Sequence, residues 1–217
     1  MRKIVILGLV GVLAVILAGC GGGGGDSREL FFADIPSSLN VDGDIALDLQ
    51  ADPQPPPSVS FASNTGSVLA GVDEDLLGTP TTEFRGFLHF PLDIPGNDVP
   101  QFAIVQSAVL RLQLKRIQFN STVPIIVDVV SFTPPIIGSD FFQNVLLPIT
   151  PTATGVFNIP NSVQVVDLDM TRLLKEALAE GVLDFQVRIL LDTVPTARGL
   201  IEIDENVAPI LLVDFFL

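Results

Sequence analysis

The 217-residue chain has one cysteine, one histidine, and neither tryptophan nor tyrosine. With Cys20 alone, no disulfide, thiolate metal cluster or catalytic thiol is available to the folded part, whose stability must come from packing. With His89 alone, a Ser-His-Asp catalytic set would have to use that imidazole as its base. No G-x-S-x-G nucleophile elbow stands near it. Sugar-binding surfaces commonly lay an indole or phenol ring on a pyranose, so the missing Trp and Tyr weigh against tight glycan binding. Basic residues are also scarce, 11 against 25 acidic, for a net charge of -14. That balance excludes nucleic acid as a partner, because its affinity rests on Lys and Arg neutralising phosphates. The fifteen phenylalanines have no polar tip and are expected in the core.

The chain opens with Met1-Arg2-Lys3 and an apolar run from Ile4 to Leu17 that ends at Ala18-Gly19-Cys20 and five glycines. A basic start, a short apolar stretch and small residues at its close make a secretion signal. The run is shorter than the roughly 20 residues a spanning helix needs. Leu17-Ala18-Gly19-Cys20 resembles the lipobox of bacterial lipoproteins, which implies cleavage before Cys20 and lipidation of its thiol. Several acyl chains anchor stably, at roughly 0.8 kcal/mol per buried methylene. Gly21, where many inner-membrane lipoproteins carry aspartate, implies by the same resemblance the outer membrane. Loss of Arg2 and Lys3 would leave 9 basic residues against 25 acidic, a net charge of -16. The expected organisation is therefore a signal over 1–19, lipidated Cys20 and a glycine-rich tether over 20–29, an N-terminal segment with a Pro-rich spacer over 30–57, and one domain over 58–217.

From Ser58 onward, short apolar or alternating runs separated by Gly, Pro, Asn and Asp predict an all-β fold of two packed antiparallel sheets. Strands are expected at Ser58–Ala62, Ser67–Val72, Phe84–Leu92, Ser107–Phe119, Ile125–Phe132, Val145–Ile149, Val163–Leu168, Leu183–Leu191, Leu200–Ile203 and Ile210–Phe215. In the fourth of these, Ala108, Leu110, Leu112 and Leu114 share a face. In Leu183–Leu191 the apolar odd-numbered residues oppose Asp184, Gln186 and Arg188. One helix is predicted over Arg172–Glu180, capped by Asp169 or Thr171, striped by Leu173, Leu174, Ala177 and Leu178, and ended by Gly181.

Four pieces of this order carry a family likeness: Arg85-Gly86-Phe87-Leu88-His89-Phe90-Pro91-Leu92, Ile104 to Leu112, Val166 to Thr171 before the helix, and Asn206 to Val213. They resemble the DNRLRE-type domains, related to carbohydrate-binding modules. That resemblance implies a jelly-roll-like β-sandwich and a capacity for sugar binding.

Residues Arg85, Phe87, His89, Arg111 and Lys115 could line one sheet face and offer hydrogen bonds and a ring to a polysaccharide, or they could form an ordinary outer face. Asp42-Gly43-Asp44 and Asp73-Glu74-Asp75 hold the oxygens calcium prefers, but neither continues as an EF-hand loop, and turn residues are the simpler expectation. Asp204-Glu205-Asn206 could be read as glycosidase carboxylates. No metal, cofactor or catalytic residue is assigned. The expected role is a lipid-anchored envelope module that binds polysaccharide or a surface partner protein. The alternatives are a lipid-anchored glycan hydrolase and an accessory lipoprotein of an envelope complex recognised through an exposed apolar patch. The mean hydropathy of +0.55 leaves room for such a patch.

Overall fold

A computed structural model describes residues 28–96, 98–119, 122–142, 154–160, 162, 164–192 and 198–217. The expected signal, Cys20 and most of the tether lie outside these residues, as does the strand expected at Val145–Ile149. No helix among the described residues is long and apolar enough to cross a membrane.

The fold is all-β and sandwich-like. Its strands are β1 (Leu30–Pro36), β2 (Gly43–Asp48), β3 (Ser58–Phe61), β4 (Ser67–Glu74), β5 (Pro80–Pro91), β6 (Ile104–Gln118), β7 (Thr122–Val129), β8 (Thr154–Pro160), β9 (Val165–Asp169), β10 (Asp184–Leu191), β11 (Leu200–Asp204) and β12 (Ile210–Phe216). All pairings are antiparallel. One curled sheet runs β1-β12-β6-β11-β4-β5-β10-β7-β8, with β9 on β6 and the β2–β3 pair on β5. The long strand β6 belongs to both layers. Its first part pairs with β12 and β9, and Leu114 to Gln118 pairs with β11. Register shifts at Glu202/Ile203 and Asp214/Phe215 interrupt these ladders, as bulges do where a strand bends.

Alternation on β6 is as expected: Ala108, Leu110, Leu112 and Leu114 are buried. They meet Leu88 and Phe90 of β5, the odd-numbered residues Phe185, Val187, Ile189 and Leu191 of β10, and Val123, Ile125, Val127 and Val129 of β7 in the main core. Helix α1 (Ala62–Thr65) is a single turn, and α2 (Thr171–Ala179) is the predicted helix, although its N-cap is Met170, with no side-chain cap bond, rather than Asp169 or Thr171; an Asp169 carboxylate oxygen accepts from Thr171 N at 2.9 Å ahead of it. Leu173, Leu174, Ala177 and Leu178 enter the main core, and Thr171 Oγ1 accepts from Ala108 N at 2.9 Å, which fixes α2 to β6. Gly181, with φ of 76°, follows the helix end in the left-handed conformation glycine adopts most readily.

The sheet begins at Leu30 rather than Ser58. β1 pairs with β12 from Leu30↔Phe216 to Pro36↔Ile210, and β2 pairs with β5 from Gly43↔Phe87 to Asp48↔Thr82. The Pro-rich run at 52–57 therefore connects two strands of one unit. A second departure is a smaller core on the reverse face of β5, built from Ile45, Phe87, Val130, Phe132, Ile136 and Phe141. It buries both faces of β5 and β10. Gln186 and Arg188, on the reverse face of β10 as expected, are consequently buried. Gln186 exchanges hydrogen bonds with Phe132 N at 2.7 Å and Phe132 O at 3.0 Å, and Arg188 pairs with Asp128 at 2.6 Å.

Candidate functional site

The five residues expected to share an open face are separated by the fold. Phe87 is wholly buried in the second core, edge-on to Phe132 at 5.7 Å between ring centroids. It cannot offer its ring to a sugar. Arg85 lies 4.0 Å above the Phe141 ring, donates to Phe141 O, and pairs with Glu83 at 2.7 Å, so it clamps the 3-10 turn Gly138–Phe142 over that core. His89 is buried beside them. Arg111 and Lys115 stand away on β6. Arg111 makes two 2.7 Å bonds to Asp167 of β9, and Lys115 donates to Gly66 O and pairs with Asp204 at 3.1 Å.

The imidazole of His89 faces Ser38 Oγ at 3.0 Å through Nδ1 and Asp184 Oδ1 at 3.6 Å through Nε2. The residue types match a nucleophile, base and orienting acid, but the geometry differs from a working set. In such a set the orienting carboxylate is buried and hydrogen-bonded to the imidazole, whereas Asp184 is half exposed and outside hydrogen-bond distance. The backbone N–H of Ser38 is spent on His89 O at 2.9 Å. The arrangement holds the β1–β2 connection against β5. Beside Asp184 runs a shallow groove of about 360 Å³ bounded by Ser131, Phe132, Thr133, Pro134 and Leu183.

The strongest electrostatic feature was not visible as such in the sequence. Asp42 and Glu205, 0 % and 3 % exposed, face one another where the β1–β2 connection meets the turn between β11 and β12. Asp42 Oδ1 accepts from His89 N at 2.8 Å. Among the described residues, Asp42 Oδ2 and both Glu205 oxygens make no hydrogen bond. Burial pushes Asp42 up to about 6, against small opposing effects of the Ser37 hydroxyl and the His89 N–H. Burial, followed by the Asp42 charge, pushes Glu205 up to about 8. Asp44, also buried, is raised to about 6 although it accepts from Leu69 N at 3.2 Å. The Asp-Gly-Asp stretch expected as a wet turn is thus interior. Gly43 is required there because a Cβ would run into Ser60 O on β3.

No group of three or more His, Cys, Asp and Glu side chains among the described residues is placed to hold a metal ion. A proton reconciles the pair with its burial. Burial and the facing Asp42 charge both favour the protonated form of Glu205, an arrangement in which two like charges need not both form.

The most accessible feature is the hairpin between β4 and β5. Leu76 and Leu77 are wholly exposed at its tip. Asp75 Oδ1 accepts from Leu77 N and Thr79 N, both at 2.8 Å, and Asp75 N donates to Thr79 O at 2.9 Å. These bonds hold the carboxyl of Asp75 below the usual carboxylate range and fix the two leucines outward on a closed turn. The sequence signal was Asp75-Leu-Leu-Gly78, a turn whose central residues are apolar where polar ones are usual. Comparison of the chain with protein-family models and with curated proteins finds no match.

Proposed function

We propose that this chain is a non-catalytic, lipid-anchored protein of the cell envelope, a module tethered at one end and docking at the other. The observation that carries the docking half is the pinned hairpin presenting Leu76 and Leu77. Large apolar side chains held in water on an ordered turn cost hydration free energy, and a partner that covers them recovers roughly 25 cal/mol per Å². The tethered half rests on the lipobox-like Leu17 to Cys20 and the glycines after it.

A protein partner fits this tip better than a polysaccharide. Phe87, the ring that could meet a sugar, is interior, Arg85 is engaged with Phe141, and His89 with Ser38. The tip also carries Asp73, Glu74 and Asp75, which favours a partner surface with an apolar centre and a basic rim. The test is site-specific photo-crosslinking in intact cells from position 77, with position 207, exposed on another turn, as control. The expected result is a discrete adduct from position 77 that is lost with Leu76→Ser. Identical patterns from both positions would refute docking through the tip.

A further inference from the structure

The end of the sandwich where the chain enters carries a second apolar surface. Leu30 opens β1, and its register partner across β12 is Phe216, whose partner in turn is Ile104 at the start of β6. Directly paired residues project from the same side of a sheet, so these three form an apolar row. Around it stand Phe32, 70 % exposed, Phe102, 75 % exposed, and Leu217, also exposed. Two shallow hollows adjoin the row. Phe102 and Ile104 share one with Lys175, and Phe32 and Leu217 share the other with Asp98 and Pro100.

From this placement we infer that the collar of Leu30, Phe32, Phe102, Ile104, Phe216 and Leu217 rests on the lipid bilayer that holds the anchor. The inference rests on the lipid-anchor reading above. Its occupant is set by the chain outside the described residues: only Cys20 to Ser27, five of them glycine, separate the lipidated position from the start of the described chain. Eight residues reach at most about 28 Å when extended, and a glycine-rich chain of that length averages roughly 16 Å end to end. The collar is therefore confined near the bilayer surface, where a tether's effective concentration lets a weak apolar contact persist.

The two ends of the molecule differ in charge as this requires. β4 runs parallel to β6, since each is antiparallel to β11, and carries the Leu76–Leu77 tip past the Gln118 end of β6. The collar sits at the Ile104 end. The tip bears three consecutive acids that an anionic headgroup layer repels, while the collar row itself bears none and has beside it the separated acids Asp98 and Asp214 together with Lys175. Apolar rings at the headgroup boundary are the chemistry of an interfacial contact.

Because the chain has no tryptophan, Phe102→Trp installs a sole indole reporter on the collar, and Leu77→Trp does so on the tip. Full-length lipidated protein of each kind is reconstituted into vesicles of phosphatidylethanolamine and phosphatidylglycerol, with or without brominated phospholipid, and the mass of the Cys20 peptide is recorded. The expected result is a blue-shifted Phe102→Trp emission quenched at least twofold by bromolipid, with the Leu77→Trp emission unchanged. An unquenched Phe102→Trp in protein whose Cys20 carries lipid overturns the collar contact and leaves the anchor standing. A Cys20 peptide without lipid overturns the anchor reading and this inference with it. Quenching of Leu77→Trp rather than Phe102→Trp would reverse the orientation and refute the proposal.

Discussion

Replacing Glu205 with glutamine should flatten the pH dependence of stability and stabilise the protein at alkaline pH. The Glu205 carboxyl faces Asp42, Asp204, Lys115 and the Ser37 hydroxyl, and burial dominates its rise from 4.5 to about 8. The folded chain keeps this proton through a range in which the unfolded chain has released it. The unfolded state binds fewer protons between about 4.5 and 8, so stability falls as pH rises through that window. Asp42 and Asp44 act in the same sense between 3.8 and about 6. At roughly 1.4 kcal/mol per unit the full Glu205 displacement corresponds to about 5 kcal/mol, which partial solvation and relaxation reduce to roughly 2–4 kcal/mol. For a chain of this size that is about 5–10 °C in Tm. Thermal unfolding followed by circular dichroism at pH 5, 6, 7, 8 and 9 should show wild-type Tm falling across the series. Glu205→Gln should lose most of the slope above pH 6 and exceed wild type at pH 8 and above. Parallel curves for the two proteins would refute the buried-proton account.

Other consequences follow from the packing. Phe87→Ala should cost about 3–5 kcal/mol, as expected for emptying a buried ring site, and denaturant titration should show it; a loss below 1 kcal/mol would place the ring outside a true core. Asp128→Ala should cost about 3–5 kcal/mol by leaving Arg188 charged in a buried site, whereas replacing both residues with apolar ones of similar volume should recover much of the loss. Arg111→Ala, which breaks only a surface pair with Asp167, should leave Tm unchanged at pH 7, since exposed ion pairs contribute little. A measurable Tm loss there would mean that β9 depends on that pair.

The strand pattern was legible where one face alone is buried. β6 and α2 follow simple periods, and their apolar sets are the ones that enter the main core. β5 and β10 were harder, because a second layer of side chains covers their reverse face and makes Gln186 and Arg188 interior polar groups and Arg85 a half-buried one, each bonded to a partner far away in sequence. Periodicity reports alternation and is silent on what covers the other side. β1 and β2 were set apart by the run of prolines that follows them, a reliable break in local structure that does not mark a break in the sheet. β8, at Thr154–Pro160, was missed among turn-forming residues. The buried acids were unreadable for a related reason: Asp-Gly-Asp is ordinarily a wet turn, and only the tertiary approach of Glu205 and the close passage of β3 bring it inside. The exposed tip was the reverse case, a turn in sequence and structure alike, distinguished only by apolar residues where polar ones are usual.

The central claim is that Cys20 fastens this protein to a membrane. It is tested most directly by growing cells that express wild type or Cys20→Ser with labelled palmitate and then separating membrane from soluble fractions. The account predicts label on the wild-type protein and its recovery with the membranes, with both lost in Cys20→Ser. Unlabelled wild-type protein, or a Cys20→Ser protein that still fractionates with membranes as wild type does, would contradict it.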